Sequence, residues 1–185
     1  MRRHGTLRSI ATASVILLSS CTTTLDRSSP ADVSALAAPE SIRAAALETA
    51  ISAIGSPYVW AANGPDVFDC SGLIVWAYRT AVGDTEIFLG DRGFQSDMAM
   101  DGFYRTGTIA VESADLAPGD IVFITSSRFS ITHGGVFVRW AAPGEIEFIN
   151  ASSYYDAVVI DTIPVDGRVR GQWFAGAGRV LLPTP

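Results

Sequence analysis

The chain contains no lysine: its 13 basic residues are all arginine, set against 19 acidic residues for a net charge of −6. Three of the arginines (Arg2, Arg3, Arg8) fall in the first eight residues, so beyond residue 20 the balance is 10 bases against 19 acids, or −9. No basic cluster of the kind that tracks phosphates is present, and nucleic acid is not expected as a partner. Charge of either sign is scarce at 17%, while 48% of residues are hydrophobic and mean hydropathy is +0.28, which excludes a disordered polyelectrolyte. Cysteine and histidine are rarer still: Cys21, Cys70, His4 and His133 are the whole supply. That is too few for a typical metal site, and no metal or other cofactor is expected. At 185 residues the chain suits one domain with short attachments, and it can bury a core without covalent staples.

What is present begins with an address. After nine basic and polar residues comes an apolar run of nine, Ile10 to Leu18. This is well short of the ~20 residues a bilayer-spanning helix needs, but it suits the core of a signal peptide. Leu18-Ser19-Ser20-Cys21 resembles a bacterial lipobox. The resemblance implies that residues 1–20 are removed and that Cys21 is acylated, which would make the membrane a partner through lipid chains. The expected location is the cell envelope, facing the periplasm or exterior. Residues 21–39 read as a polar, Pro-punctuated tether with a reach of about 23 Å, and residues 40–185 as the domain.

Within that domain, Ile42, Ala46, Leu47, Ala50, Ile51 and Ile54 repeat at helical spacing, with Gly55 at the end. A second, largely apolar helix is expected over Ser71–Ala81, closed by Gly83 and buried on most sides. The second half changes character. Ile121–Thr125, Val136–Trp140, Ile146–Ala151, Val158–Ile163 and Ala177–Leu182 are short β-branched and aromatic runs separated by Gly, Pro and Asp. Helices followed by strands predict an α+β domain with its N-terminal helices packed on an antiparallel sheet. Residues 83–107 lack a regular pattern and read either as an active-site loop or as a connection.

Few residues can carry chemistry. If Cys21 is lipidated, Cys70 is the one remaining thiol in a disulfide-permissive compartment. It sits where a loop meets the second helix, and a helix N-terminus favours thiolate. By position alone it is either a nucleophile or an inert buried thiol. His133 is the one histidine beyond the leader, and so the one imidazole able to serve Cys70. In Phe148-Ile149-Asn150-Ala151, strand alternation puts Asn150 on the face of Phe148, where its amide needs a partner; orienting His133 would supply one. Cys, His and Asn then follow the chain order of papain-like peptidases.

Four segments strengthen that reading: Gly55-Ser56-Pro57-Tyr58-Val59-Trp60 with Phe68-Asp69-Cys70-Ser71-Gly72-Leu73, Leu116 through Phe123 with its Pro-Gly-Asp, His133 through Val138, and Phe148 through Ala151. Together they resemble the NlpC family of cell-wall cysteine peptidases across residues 41–182. The resemblance implies a papain-like fold in which Cys70 is the nucleophile, His133 the general base and acid, and Asn150 the orienting residue. It implies that Tyr58 lies near the oxyanion, beside the backbone N–H of Cys70. It also implies that Asp69 and Ser71 hold the substrate peptide, although Asp69 equally suits a helix N-cap.

The substrate so implied is the peptidoglycan stem peptide, cut at the γ-D-glutamyl–diaminoacid amide or at a crosslink, by a monomer. Departures from the family pattern are Asn150 where relatives most often have His, Ala61-Ala62-Asn63-Gly64 where they commonly have a Gly pair, and Gly134 in place of an apolar residue. Two other readings stay open here: a cysteine amidase or acyltransferase on the same scaffold, and a silent envelope lipoprotein that only binds peptidoglycan.

Overall fold

The computed structural model describes residues 33–184. The leader, Cys21 and most of the tether therefore lie outside the described residues. Packing begins slightly before Pro39: Ala38 N–H donates to Val180 O at 2.8 Å, and Leu182 N–H donates to Leu36 O at 2.7 Å. Helix α1 spans Glu40–Ser52 and helix α2 spans Cys70–Val82. The strands are β1 (Phe88–Gly90), β2 (Gly93–Gln95), β3 (Thr108–Val111), β4 (Ile121–Thr125), β5 (His133–Ala142), β6 (Glu145–Ser152), β7 (Ala157–Pro164) and β8 (Trp173–Val180). Among the described residues no helix is long and apolar enough to cross a membrane.

Six strands form one sheet in the order β3-β8-β4-β5-β6-β7, with every neighbouring pair antiparallel. The helices cover one face. There Leu73, Ile74, Ala77 and Tyr78 of α2 and Ala46 and Ala50 of α1 form a buried cluster with Ile121, Phe123, Val136, Ile149, Ala151 and Val158. The alternate residues (Val122, Ile124, Phe137, Ile146, Phe148, Ile163 and Ala177) form a second cluster on the other face. With both faces covered in its centre, β4 is buried at all five positions, which is why it reads as a continuous apolar run.

The two helices behave differently from one another. The nearly all-round apolar α2 is buried as expected and ends on Gly83 at φ 78, whose N–H donates to Arg79 O. The stripe expected on α1 is only partly correct. Ile51 and Ile54 are 45% and 46% exposed, and the buried line is instead Arg43, Ala46 and Ala50. Arg43 displaces the apolar stripe because its guanidinium turns inward to Asp120.

Asp120 is fully buried and gathers three elements. Arg179 of β8 grips it through Nε to Oδ1 and Nη2 to Oδ2, both at 2.8 Å. Ala117 N–H donates to Oδ2 at 2.9 Å, and Arg43 Nε stands 3.7 Å from Oδ1. Beside it, Tyr78 of α2 donates its hydroxyl to Gly119 O at 2.7 Å. The Pro-Gly-Asp turn thus ties both helices to the sheet.

Residues 83–107 hold more regular structure than the sequence suggests. They form the β1–β2 hairpin, with Phe88 opposite Gln95, then a single α-turn at Met100–Gly102 and a π-turn at Phe103–Gly107. Edge strand β3, pairing with β8, follows.

Candidate active site

Asp69 is the N-cap of α2, and Cys70 opens the helix. The cap carboxylate takes donors on both oxygens: Gly72 N–H at 2.7 Å and the Ser71 hydroxyl at 3.0 Å on Oδ1, Ala61 N–H at 2.9 Å on Oδ2. Ala61 takes a left-handed φ of 61, strained for a residue with a side chain, in making that last bond. The following loop lies against the helix: a Cβ on Gly72 would stand 2.0 Å from Ala62 O, so the Cys70-Ser71-Gly72 sequence needs its glycine. Asp69 and Ser71 are therefore engaged with the helix start and with each other.

Strand β5 begins at His133, and the residues that alternate with it on one face are Gly135 and Phe137. Phe137 lies opposite Phe148 in β6, two residues from Asn150. The same face thereby carries the imidazole and the amide, and His133 Nε2 meets Asn150 Oδ1 at 3.0 Å. Since the amide oxygen accepts, Nε2 carries the proton and Nδ1 keeps its lone pair. Gly135 makes this packing possible: a Cβ there would be 2.2 Å from Ile149 O and 3.0 Å from Asn150 Cβ. Asn150 is 1% exposed, and its Nδ2 has no hydrogen-bond partner among the described residues.

Tyr58, Cys70, His133 and Asn150 line one cavity of about 230 Å³. The N-terminus of α2 and the second face of the sheet meet there. Asp69 and Ser71 do not line it, and neither does any residue of the 83–107 segment. That segment is therefore a connection with respect to this cavity. Among the lining residues that the sequence reading did not assign to the site are Trp60, Tyr154, Asp161 and Arg170. Asp161 was discoverable, because it interrupts the apolar run Val158–Ile163 as Asn150 interrupts its own strand. It also pairs with Phe148 in register.

The electrostatics correct one expectation. Burial pushes the Cys70 thiol up to about 11, and the Asp69 carboxylate adds to the rise; the backbone N–H groups of Ser71 and Cys70 pull it down by less. The helix mouth therefore favours thiolate as foreseen, but desolvation wins, and the resting thiol is neutral. His133 moves the opposite way: burial lowers it from its usual value, against the raising effects of the Asn150 hydrogen bond and Asp161. The Tyr58 hydroxyl is raised, first by burial and then by its electrostatic interactions with Cys70 and Asp69. A neutral thiol, a neutral imidazole with a free Nδ1 lone pair and a phenolic donor are thus gathered at one concavity.

A pair of N-terminal helices on a six-stranded antiparallel sheet defines the papain-like α+β class. The model of the NlpC/P60 family matches residues 55–177, and the chain belongs to that family. It is 36% identical over 126 residues to a probable endopeptidase of Corynebacterium glutamicum, covering 68% of this chain and 52% of that one. It is 29% identical over 140 residues to the murein DD-endopeptidase MepH of Escherichia coli, covering 75% and 46%. Among solved structures, NlpC2 from Trichomonas vaginalis superposes with a TM-score of 0.55 at 26% identity, over 78% of this chain and 48% of that one. The chain spans about half the length, or less, of these curated relatives.

Proposed function

We propose that the protein is a peptidoglycan endopeptidase that hydrolyses stem-peptide amide bonds with Cys70 as nucleophile. The observation that carries this reading is the convergence of Cys70, His133, Asn150 and Tyr58 on one cavity, with the imidazole fixed by Asn150 at 3.0 Å. Kinship with relatives named endopeptidases supports the reaction class.

His133 Nδ1 takes the thiol proton as Cys70 Sγ attacks the carbonyl carbon, because a thiol held near 11 does not ionise in advance. The tetrahedral oxyanion is met by the Tyr58 hydroxyl and the backbone N–H of Cys70, a donor of the first helical turn with no partner inside the helix. The imidazolium, held by Asn150, gives its proton to the leaving amine. It then accepts a proton from the water that opens the thioester. Asp69 seats the helix that presents Cys70. A substrate peptide that reaches Asp69 must replace the Ser71 hydroxyl as donor to Oδ1.

The bond we favour is γ-D-glutamyl–diaminoacid. A second reading, the crosslink amide, is favoured by the name of the Escherichia coli relative, a murein DD-endopeptidase. An acylated Cys21 would hold the enzyme at a membrane of the cell envelope. Digestion of defined wall fragments, with product masses, tests the proposal. A new amine on the diaminoacid supports the first bond, and separation of crosslinked dimers the second. A new amine on the alanine that follows the sugar would make the protein an amidase instead.

A further inference from the structure

Among the described residues Arg170 is the one arginine on the wall of the candidate catalytic cavity, and it is held there by an unusual backbone. Val169 and Gln172 exchange both backbone hydrogen bonds at 2.9 Å, closing a two-residue hairpin around Arg170 and Gly171. Both central residues have positive φ, 51 and 80. Such turns prefer Asn, Asp or Gly at the first central position. An arginine there is strained, and strain of this kind marks functional positions.

The side chain is aimed as carefully as the backbone. Nη2 pairs with Asp161 Oδ2, and Nη1 donates to the Tyr155 hydroxyl at 3.2 Å. The guanidinium carbon lies 5.0 Å from the Tyr154 ring centroid and 5.4 Å from that of Tyr155. Asp161 itself is tied by Thr162 N–H to Oδ1 at 2.8 Å. These contacts fix the plane of the guanidinium and use two of its five N–H donors. The arginine side chain keeps 35% exposure, against 16% for Asp161, so its remaining donors are accessible. Planar, partly desolvated guanidinium on a concave wall suits a carboxylate.

We infer that Arg170, oriented by Asp161 and the Tyr154–Tyr155 pair, forms a carboxylate-binding subsite that selects substrates with a free carboxylate beside the scissile amide. The inference rests on the hydrolase reading for the identity of the peptide. Stem peptides offer two such groups, the α-carboxylate of the γ-linked D-glutamyl residue and the side-chain carboxylate of the diaminoacid. A carboxamide at the same place keeps the shape but loses the charge. Charge-assisted hydrogen bonds of this kind give roughly a 10- to 100-fold preference.

The test uses three probes, each closed at the C-terminus by D-alaninamide so that the diaminopimelate α-carboxyl carries no charge: L-Ala-γ-D-Glu-diaminopimelyl-D-alaninamide, the same peptide with D-isoglutamine, and the same peptide amidated on the diaminoacid side chain. Affinities are read by calorimetry on the full chain carrying Cys70→Ala, which separates binding from cleavage. The expected result is that the free acid binds at least 10-fold more tightly than one of the amidated probes, and which probe is weakened identifies the carboxylate. Adding Arg170→Gln brings the acid probe down to the level of that amide, and Arg170→Lys keeps part of the preference. Equal affinity for all three probes overturns the subsite, as does full discrimination in the Arg170→Gln protein. Parallel cleavage assays on the wild-type chain report on the hydrolase separately. Discrimination in binding without any cleavage would sink the peptidase and leave the subsite standing. Cleavage without discrimination would do the reverse.

Discussion

Asp120 and Asn150 are both sealed from solvent, at 0% and 1% exposure, yet their surroundings are opposite in kind. The Asp120 carboxylate takes two bonds from Arg179 and one from Ala117, and Arg43 Nε, 3.7 Å away and without a hydrogen-bond partner among the described residues, adds a second positive charge. Asn150 has one strong partner, His133, and an amide nitrogen with none among the described residues. Around Asp120 the charges compensate one another and tie elements distant in sequence. Around Asn150 burial pushes a thiol up and an imidazole down, and polar capacity is left unspent on a cavity wall. A charge-compensated cluster stabilises a fold, while neutral groups held away from their ordinary titration beside a cavity are poised to change protonation and bind. The Pro-Gly-Asp and His-Gly-Gly segments look equally distinctive in the sequence; the wiring separates the structural one from the chemical one.

Breaking the charge-compensated cluster should have the largest effect on stability. Asp120→Ala leaves the inward-turned guanidinium of Arg43 and that of Arg179 without their counterion and should cost about 3–5 kcal/mol by urea unfolding. A loss under 1 kcal/mol would show the knot to be unimportant. Asn150→Ala should do the converse. Turnover should fall roughly 100-fold as the imidazole loses its orientation, while stability falls by less than about 1 kcal/mol, because an unpaired buried donor leaves with the side chain. A large stability loss with full activity would erase the contrast.

The pH response sharpens it further. His133, lowered by burial, must be neutral to accept the thiol proton, so kcat/KM should rise with pH through a value below 6.5. Alkylation of Cys70 by iodoacetamide should keep climbing toward a value near 11. A flat alkylation rate between about pH 5 and 8 would instead reveal a preformed thiolate–imidazolium pair. The same shifts set stability. A histidine lowered by folding contributes fully above its unfolded value and loses that contribution as pH falls through the folded one. A thiol raised by folding contributes below its unfolded value and loses that contribution as pH rises toward 11. Between those limits neither group opposes the fold. The smallest effect belongs to Tyr78→Phe, which removes one buried bond to Gly119 O and should cost about 1 kcal/mol without altering turnover.

The candidate site was legible because the sequence offers so few alternatives. With His4 assigned to an expected signal peptide and Cys21 to an expected lipid anchor, one imidazole and one thiol were left, and period-two alternation placed Asn150 on the face that meets His133. Buried strands were legible for a similar reason: β4 was expected at Ile121–Thr125 and has those bounds. The rest was hidden for physical reasons. The β1–β2 hairpin is three residues a side, and β3 is a four-residue edge strand, too short to show a period. The inward turn of Arg43 was hidden because its partner Asp120 lies far away in sequence. Arg170 was hidden because no local pattern reports what a turn residue faces. The thiolate expected at the helix mouth failed because position in sequence reveals the dipole but not the depth of burial.

The most direct test of the central claim is the release of free amine from a defined stem-peptide fragment by the wild-type chain and by Cys70→Ala, followed side by side with their melting curves. The account predicts that the variant melts like the wild type and loses at least ~10⁴-fold in turnover. Turnover within tenfold of wild type, in a protein of unchanged fold, would contradict it.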